Sequence, residues 1–167
     1  DPPARVFLTA YGLMEFHDMA KVYPVDEAVI ERAAQWLLNQ QQADGTWQAY
    51  DHRAGQGVLG PTAYATWALI EAGYEDTPQV VDGISHLREH ALQEEDAYSL
   101  SLAANALAAY DPDGGMTRAV LDRLYEMRVQ EGDRVYWQMG DASFMGATGE
   151  SGSLETTALA AYALLQA

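Results

Sequence analysis

Along most of the chain, apolar residues recur every three to four positions, and seven helices are expected from that period. The first spans 6–22, with Phe7, Ala10, Tyr11, Met14 and Asp18 at helical spacing, and ends before Pro24. Asp26 is placed to cap the second, over 26–43. Its stripe of Val29, Ile30, Ala33, Trp36, Leu37 and Gln40 leaves Glu31 and Arg32 facing out. A glycine-bearing loop over 44–60 leads to a third helix from Pro61 to Gly73. Thr77-Pro78 supplies a cap and a first-turn proline for the fourth, over 78–93, with Val80, Val81, Ile84 and Leu87 on one face. The fifth covers 96–110 and stops at the turn Asp111-Pro112-Asp113-Gly114-Gly115; the sixth covers 115–131. Period-two alternation is confined to "RVYWQM", which predicts a strand paired with "ASFMGA" in a hairpin over 133–152. The seventh helix begins near Ser153, its expected cap, with Glu155 in the first turn favouring the helix dipole.

Four of these segments are alike: "LTAYGLMEF", "TAYATWALIEA", "SLAANALAAY" and "ETTALAAYALL". Leu13, Leu69, Leu107 and Leu164 occupy equivalent places in them. With the 44–60 loop and the 133–152 hairpin set aside, the period is about 40 residues, the length of a helix pair. The four repeats are alanine-rich and nearly free of charge, as helices buried on most sides are. The helices between them have one charged face. Buried and half-exposed helices in alternation predict the inner and outer rings of an α/α toroid, with a linear solenoid as the alternative.

The segment "WLLNQQQADGTWQ" joins two such helices. Gly45 is expected in the left-handed conformation where the second helix ends. Trp47 can then fold back over the helix end, and Gln41 can bond carbonyls left open there. The three residues Gln41, Gly45 and Trp47 are a structural motif, stapling one helix pair to the next.

Composition narrows the function. Nine basic against 25 acidic residues leave a formal charge of −16, which disfavours nucleic acid and anionic membranes as partners. There is no cysteine, hence no disulfide, thiolate metal site or thiol nucleophile in these 167 residues. No apolar run approaches a membrane span, so no membrane insertion by this segment is expected. The opening "DPPARVFLTAY" reads as the start of a piece cut from something longer.

Candidate chemistry is sparse. "HLREH", residues 86–90, has the His-x-x-Glu-His spacing of one class of zinc enzymes, but nothing downstream supplies a third ligand. The expected role is a charged outer face, with no metal and no cofactor. Glu94, Glu95 and Asp96 read as helix-start charge, and Asp111 and Asp113 as turn formers. Tyr136, Trp137 and Phe144 are expected to pack the hairpin onto the helices.

The Gln41-x-x-x-Gly45-x-Trp47 ending resembles a motif that recurs in α/α toroids: triterpene cyclases, protein prenyltransferase β-subunits and the thioester domains of the α-2-macroglobulin and complement family. The remaining chain resembles the last of these. "FLTAYGLMEF" leads through an Asp-capped turn to "AQWLLNQQQADGTW"; "TAYATWALIEAG", "YSLSLAANALAAYD", "VYW" and "ETTALAAYALL" follow in the family's order. Bacterial α-2-macroglobulins are nearest in character. The resemblance implies that residues 1–167 form a single, partial toroid domain, all-α with one small hairpin near 133–150. It also implies a parent protein that is secreted, periplasmic or in the cell envelope. There an internal thioester, made from a Cys-x-Glu-Gln segment, is exposed by cleavage and acylates a trapped protease. That segment is absent here, so the chain is expected to be a central fragment of the domain and not an enzyme. The resemblance makes His52 a candidate thioester-tuning residue, since complement relatives carry a histidine in the loop after the motif. Expected partners are proteases trapped by the parent, its other modules, and a second copy of the fragment through uncovered helix faces. The alternatives are a piece of a cyclase- or prenyltransferase-like toroid enzyme, or a helical-repeat interaction scaffold. No Asp-x-Asp-Asp acid motif and no cysteine for a prenyltransferase zinc site occur.

Overall fold

The computed structural model describes residues 5–49, 57–140 and 142–166. In it the chain forms α1 (Val6–Ala20), α2 (Glu27–Leu38), α3 (Leu59–Glu71), α4 (Pro78–His90), a 3-10 turn (Ala91–Gln93), α5 (Ala97–Tyr110), α6 (Gly115–Glu126), a hairpin of β1 (Val129–Glu131) and β2 (Arg134–Tyr136), and α7 (Gly149–Leu165). The odd-numbered helices form an inner arc: α1 packs on α3, α3 on α5, and α5 on α7. Each even-numbered helix lies outside, against the inner helix that precedes it. This is the toroid pattern expected from the repeat.

Burial follows the same division. Most of α3 and α5 is buried all round, including Ala63, Ala65 and Ala68 on one and Ala103, Ala104 and Ala106 on the other. Small side chains let these helices approach closely. The outer helices bury one face each: Ala34, Leu37 and Leu38 of α2; Val80, Gly83, Ile84 and Leu87 of α4; Thr117, Val120, Leu121 and Leu124 of α6. Two hydroxyls inside the arc are bonded locally. Ser101 Oγ donates to Ala97 O at 2.6 Å and Thr156 Oγ1 to Gly152 O at 2.9 Å. Asn105 Nδ2 donates to Ser101 O and, across the helix boundary, to Leu159 O, which ties α5 to α7.

Several local expectations need correction. The hairpin pairs β1 with β2 in antiparallel register, Val129 opposite Tyr136 and Glu131 opposite Arg134, turning at Gly132. "ASFMGA" is therefore not the strand partner of "RVYWQM". It is a turn in which Gly146 N donates to Ser143 O and Ser143 N to Ala147 O. Helix α6 stops at Glu126, and residues assigned to its last turn form β1. Ser153 is not a cap, because α7 begins one turn earlier, after Thr148, and Ser153 lies within it. Tyr11 and Val81, counted on apolar stripes, are exposed. Asp26 does cap α2, accepting from Ala28 N, and Asp96, read as helix-start charge, proves to be the cap of α5, accepting from Ser99 N.

Candidate functional site

The Gln41–Trp47 segment folds as a clamp. Helix α2 ends at Leu38, and the chain makes a turn in which Gly45 N donates to Gln42 O. Gly45 has φ +81°, and a β-carbon there would also crowd Asp82 of α4. Trp47 is fully buried. Its indole Nε1 donates to Leu37 O at 2.8 Å, covering the open end of α2, and its backbone N donates to Thr62 Oγ1 at 3.1 Å on α3. Thr62 Oγ1 in turn donates to Val58 O. Gln41 departs from expectation. Its Nε2 donates to Gly45 O at 3.0 Å and to Gln79 O at 2.7 Å, so it closes its own loop and fastens it to the first turn of α4 instead of serving α2.

The same device recurs, unforeseen, at Trp137. Its Nε1 donates to Leu124 O of α6 at 2.6 Å and its backbone N to Thr157 Oγ1 of α7 at 3.0 Å; Thr157 Oγ1 donates to Ser153 O. Each clamp therefore joins the end of an outer helix to the next inner helix through a threonine bonded back to the carbonyl four residues earlier. The signal was present in the repeat, since Thr62 and Thr157 hold the same position relative to Leu69 and Leu164. The two insertions in the repeat are where the two clamps sit. Between α4 and α5 the connection is the short 3-10 turn, anchored by buried Ala91.

Beyond the clamps, aromatic side chains gather where the N-terminal halves of the inner helices meet. Phe7 of α1 stacks on Tyr64 of α3 at 4.5 Å and lies 3.7 Å from the Phe144 ring; Phe144 and Tyr98 of α5 are 5.5 Å apart. Tyr98 OH donates to Glu155 Oε1 of α7 at 3.1 Å. Burial, with the Glu155 charge behind it, pushes the Tyr98 hydroxyl far above its ordinary pKa. Burial does the same to Tyr64. Both phenols stay protonated and act as apolar bodies with a donor tip. Glu155 is thus a cross-helix acceptor as well as first-half helix charge, and Tyr98 had no sequence signal beyond its place at the start of α5. At the other end, Ile70, Glu71, Glu75, Asp76, Tyr110, Asp111 and Gln166 line an open groove of about 840 Å³.

His52 lies outside the described residues. Among the described residues no group of three or more His, Cys, Asp or Glu side chains could hold a metal ion. Asp111 and Asp113 serve the turn, pairing with Arg88 and Arg118 at 3.3 Å each.

Inner and outer helices in alternation, with tryptophan clamps at the long connections, define the chain as a helical domain of α/α-toroid type. It belongs to the A-macroglobulin TED-domain family, whose model matches residues 1–167. Thioester-containing protein 1 of Anopheles gambiae, in its S3 and S1 alleles, is 27% identical over 175 residues. Those alignments cover 97% of this chain and 12% of each relative. No helix among the described residues is long and apolar enough to cross a membrane.

Proposed function

We propose that the chain is the central part of the thioester-bearing toroid of a protease-trapping α-2-macroglobulin-like protein. The parent acts outside the cytosol, in a secreted, periplasmic or envelope setting. The observation that carries this reading is the pair of clamps. They make a rigid arc whose inner-helix ends are held in register, and a strained acyl bond needs such a frame to be kept from water until release. These residues carry no nucleophile of their own for that bond, so the segment's role is to shape the toroid and not to catalyse. An isoprenoid-cyclase reading would require a deep apolar cavity inside the arc. The inner helices α3 and α5 carry buried alanines where such a cavity would call for large aromatic side chains.

The first test is made on the parent protein. A Cys-x-Glu-Gln segment upstream, with radiolabelled methylamine incorporated into the intact chain and lost after cysteine substitution, is the expected result. A toroid with no such segment would leave trapping by conformational change alone. His52 is proposed to bias the released acyl group toward hydroxyl acceptors. His52→Ala in the parent is then expected to shift the ratio of glycerol to methylamine capture toward the amine, and an unchanged ratio refutes this role.

The isolated segment is also expected to self-associate. Helices α1 and α7 end the arc, and they expose Leu8, Tyr11 and Met19 on one and Leu154, Tyr162 and Leu165 on the other. Sedimentation velocity at tens of micromolar should show species larger than the monomer. A strictly monomeric boundary would mean that these faces need no cover.

A further inference from the structure

The segment Ala142–Thr148 belongs to no helix or strand, and neither clamp uses it. It is bonded within itself. Ser143 N donates to Ala147 O and Gly146 N to Ser143 O at 2.9 Å each, and Ala147 N donates to Ser143 Oγ at 3.0 Å. Gly146, at φ +83°, closes the turn. The bonds that tie its N-terminal flank to the helices are longer: Met139 N to Ser153 Oγ at 3.4 Å and Gly140 N to Asp96 Oδ1 at 3.3 Å. On the other flank Gly149, at φ +56°, joins it to α7. A compact turn between glycines, on ties near the limit of hydrogen-bond length, can swing without unfolding. Phe144 docks the turn on the inner helices, its ring centroid 3.7 Å from that of Phe7 and 5.5 Å from that of Tyr98. A β-carbon at Gly60 would stand 2.8 Å from Phe144 Cζ, so the glycine makes room for the tip of the ring. The socket is braced without its occupant. Phe7 stacks on Tyr64 with planes 14° apart, and Tyr98 is held by its bond to Glu155. Phe144 itself is only partly buried, so its seat yields at a far lower cost than the core does.

We propose that Ala142–Thr148 is a hinged plug. The turn leaves and re-enters the mouth of the inner arc as a unit, and Phe144 withdraws from the socket of Phe7, Gly60, Tyr64 and Tyr98 while the helices stay folded. Such openings take microseconds to milliseconds. The closed form keeps an apolar, ring-sized recess dry beside the start of α3; the open form uncovers it. The device belongs to this chain alone and needs no thioester in the parent.

The test is fluorine nuclear magnetic resonance of the 167-residue chain labelled with 4-fluorophenylalanine. Its phenylalanines are Phe7, Phe16 and Phe144, so three signals are expected. The para fluorine lies on the axis of ring flips, which therefore do not contribute. Phe7 and Phe144 should show relaxation dispersion from an open share of roughly 0.1–10%. Phe16, exposed on α1, should not. Gly60→Ala should make the open form the main one, because the new methyl meets the free tip of a ring and alanine also favours the helix. The Phe144 signal should then move to its position in the unfolded chain, with unchanged far-ultraviolet circular dichroism. Phe144→Ala, which removes the ring and leaves the helices, should abolish the dispersion of Phe7. A wild-type Phe144 signal without dispersion, or Phe7 dispersion that persists in Phe144→Ala, overturns the proposal. So does Gly60→Ala if the Phe144 signal stays at its seated position or the helical signal is lost with it.

Discussion

Trp47→Ala is expected to destabilise the segment by ~3–5 kcal/mol, the range for removing a fully buried large aromatic side chain. Three losses coincide. The indole leaves a cavity between α2, α3 and α4, since its ring also lies against Gly83. The Leu37 carbonyl at the open end of α2 loses one of its two donors, keeping Gln40 N. The loop that Gln41 fastens to α4 loses its anchor. A domain of this size has a total stability of roughly 5–15 kcal/mol, so the variant should be unfolded in a large share of molecules or melt far earlier. Trp47→Phe separates the terms. It keeps most of the apolar volume and removes the N–H, and should cost about 0.5–1.5 kcal/mol, the net contribution of one hydrogen bond, since Gln40 N still donates to the Leu37 carbonyl. Urea denaturation of the two variants decides between them. Equal losses would mean that the bond to Leu37, absent from both variants, accounts for the whole effect and the ring volume for none; a Phe variant as stable as the wild type would mean that the bond contributes nothing. Trp137→Ala should behave as Trp47→Ala does, because it closes the α6 end with the same pair of bonds.

How far this site could be read from sequence depends on whether its partners are local. Trp47 covering the end of α2 was legible because donor and acceptor lie within one helix ending, and the Asp-Gly turn sets the return path. The second clamp was overlooked because Trp137 follows a hairpin and not a Gln-x-x-x-Gly turn. Only the threonine of the next inner helix marks the equivalence, and hydroxyls in alanine-rich helices read as ordinary small polar residues. The Gln41 acceptor was misassigned for a different reason. Gln79 is 38 residues away, and only the packing of α4 beside the loop brings its carbonyl within reach. The hairpin and the start of α7 were misplaced where strong side-chain alternation competed with glycines. Gly132 has φ +60° and sets the turn, Gly149 has φ +56° where α7 begins, and Gly152, which weakens a helix in isolation, is carried inside α7 by close packing against Met139 and Ala147. The inner–outer alternation itself was fully legible, since it rests on charge and alanine content summed over whole helices.

Gly83→Ala should be nearly as damaging as a small core truncation, although it only adds a methyl group. A β-carbon at Gly83 would overlap Thr66 Oγ1 and stand 3.1 Å from the Trp47 ring, so α4 would have to lift from α3 at the point where the clamp is seated. Helix propensity works the other way. Glycine to alanine in a helix interior stabilises by about 0.5–1 kcal/mol. Overpacking typically costs about 1–3 kcal/mol, so the net sign is destabilising. Thr66 makes the prediction specific. Its Oγ1 is buried, and among the described residues it has no hydrogen-bond partner. Thr66→Ala therefore removes a hydroxyl that gains nothing in the folded state and opens the space the new methyl needs. The double variant Gly83→Ala/Thr66→Ala should recover most of the loss, giving a coupling of roughly 1–2 kcal/mol in a double-mutant cycle. Additive single effects would show that the clash is relieved elsewhere. They would locate the rigidity of the α3–α4 crossing in the Trp47 ring and not in the glycine contact.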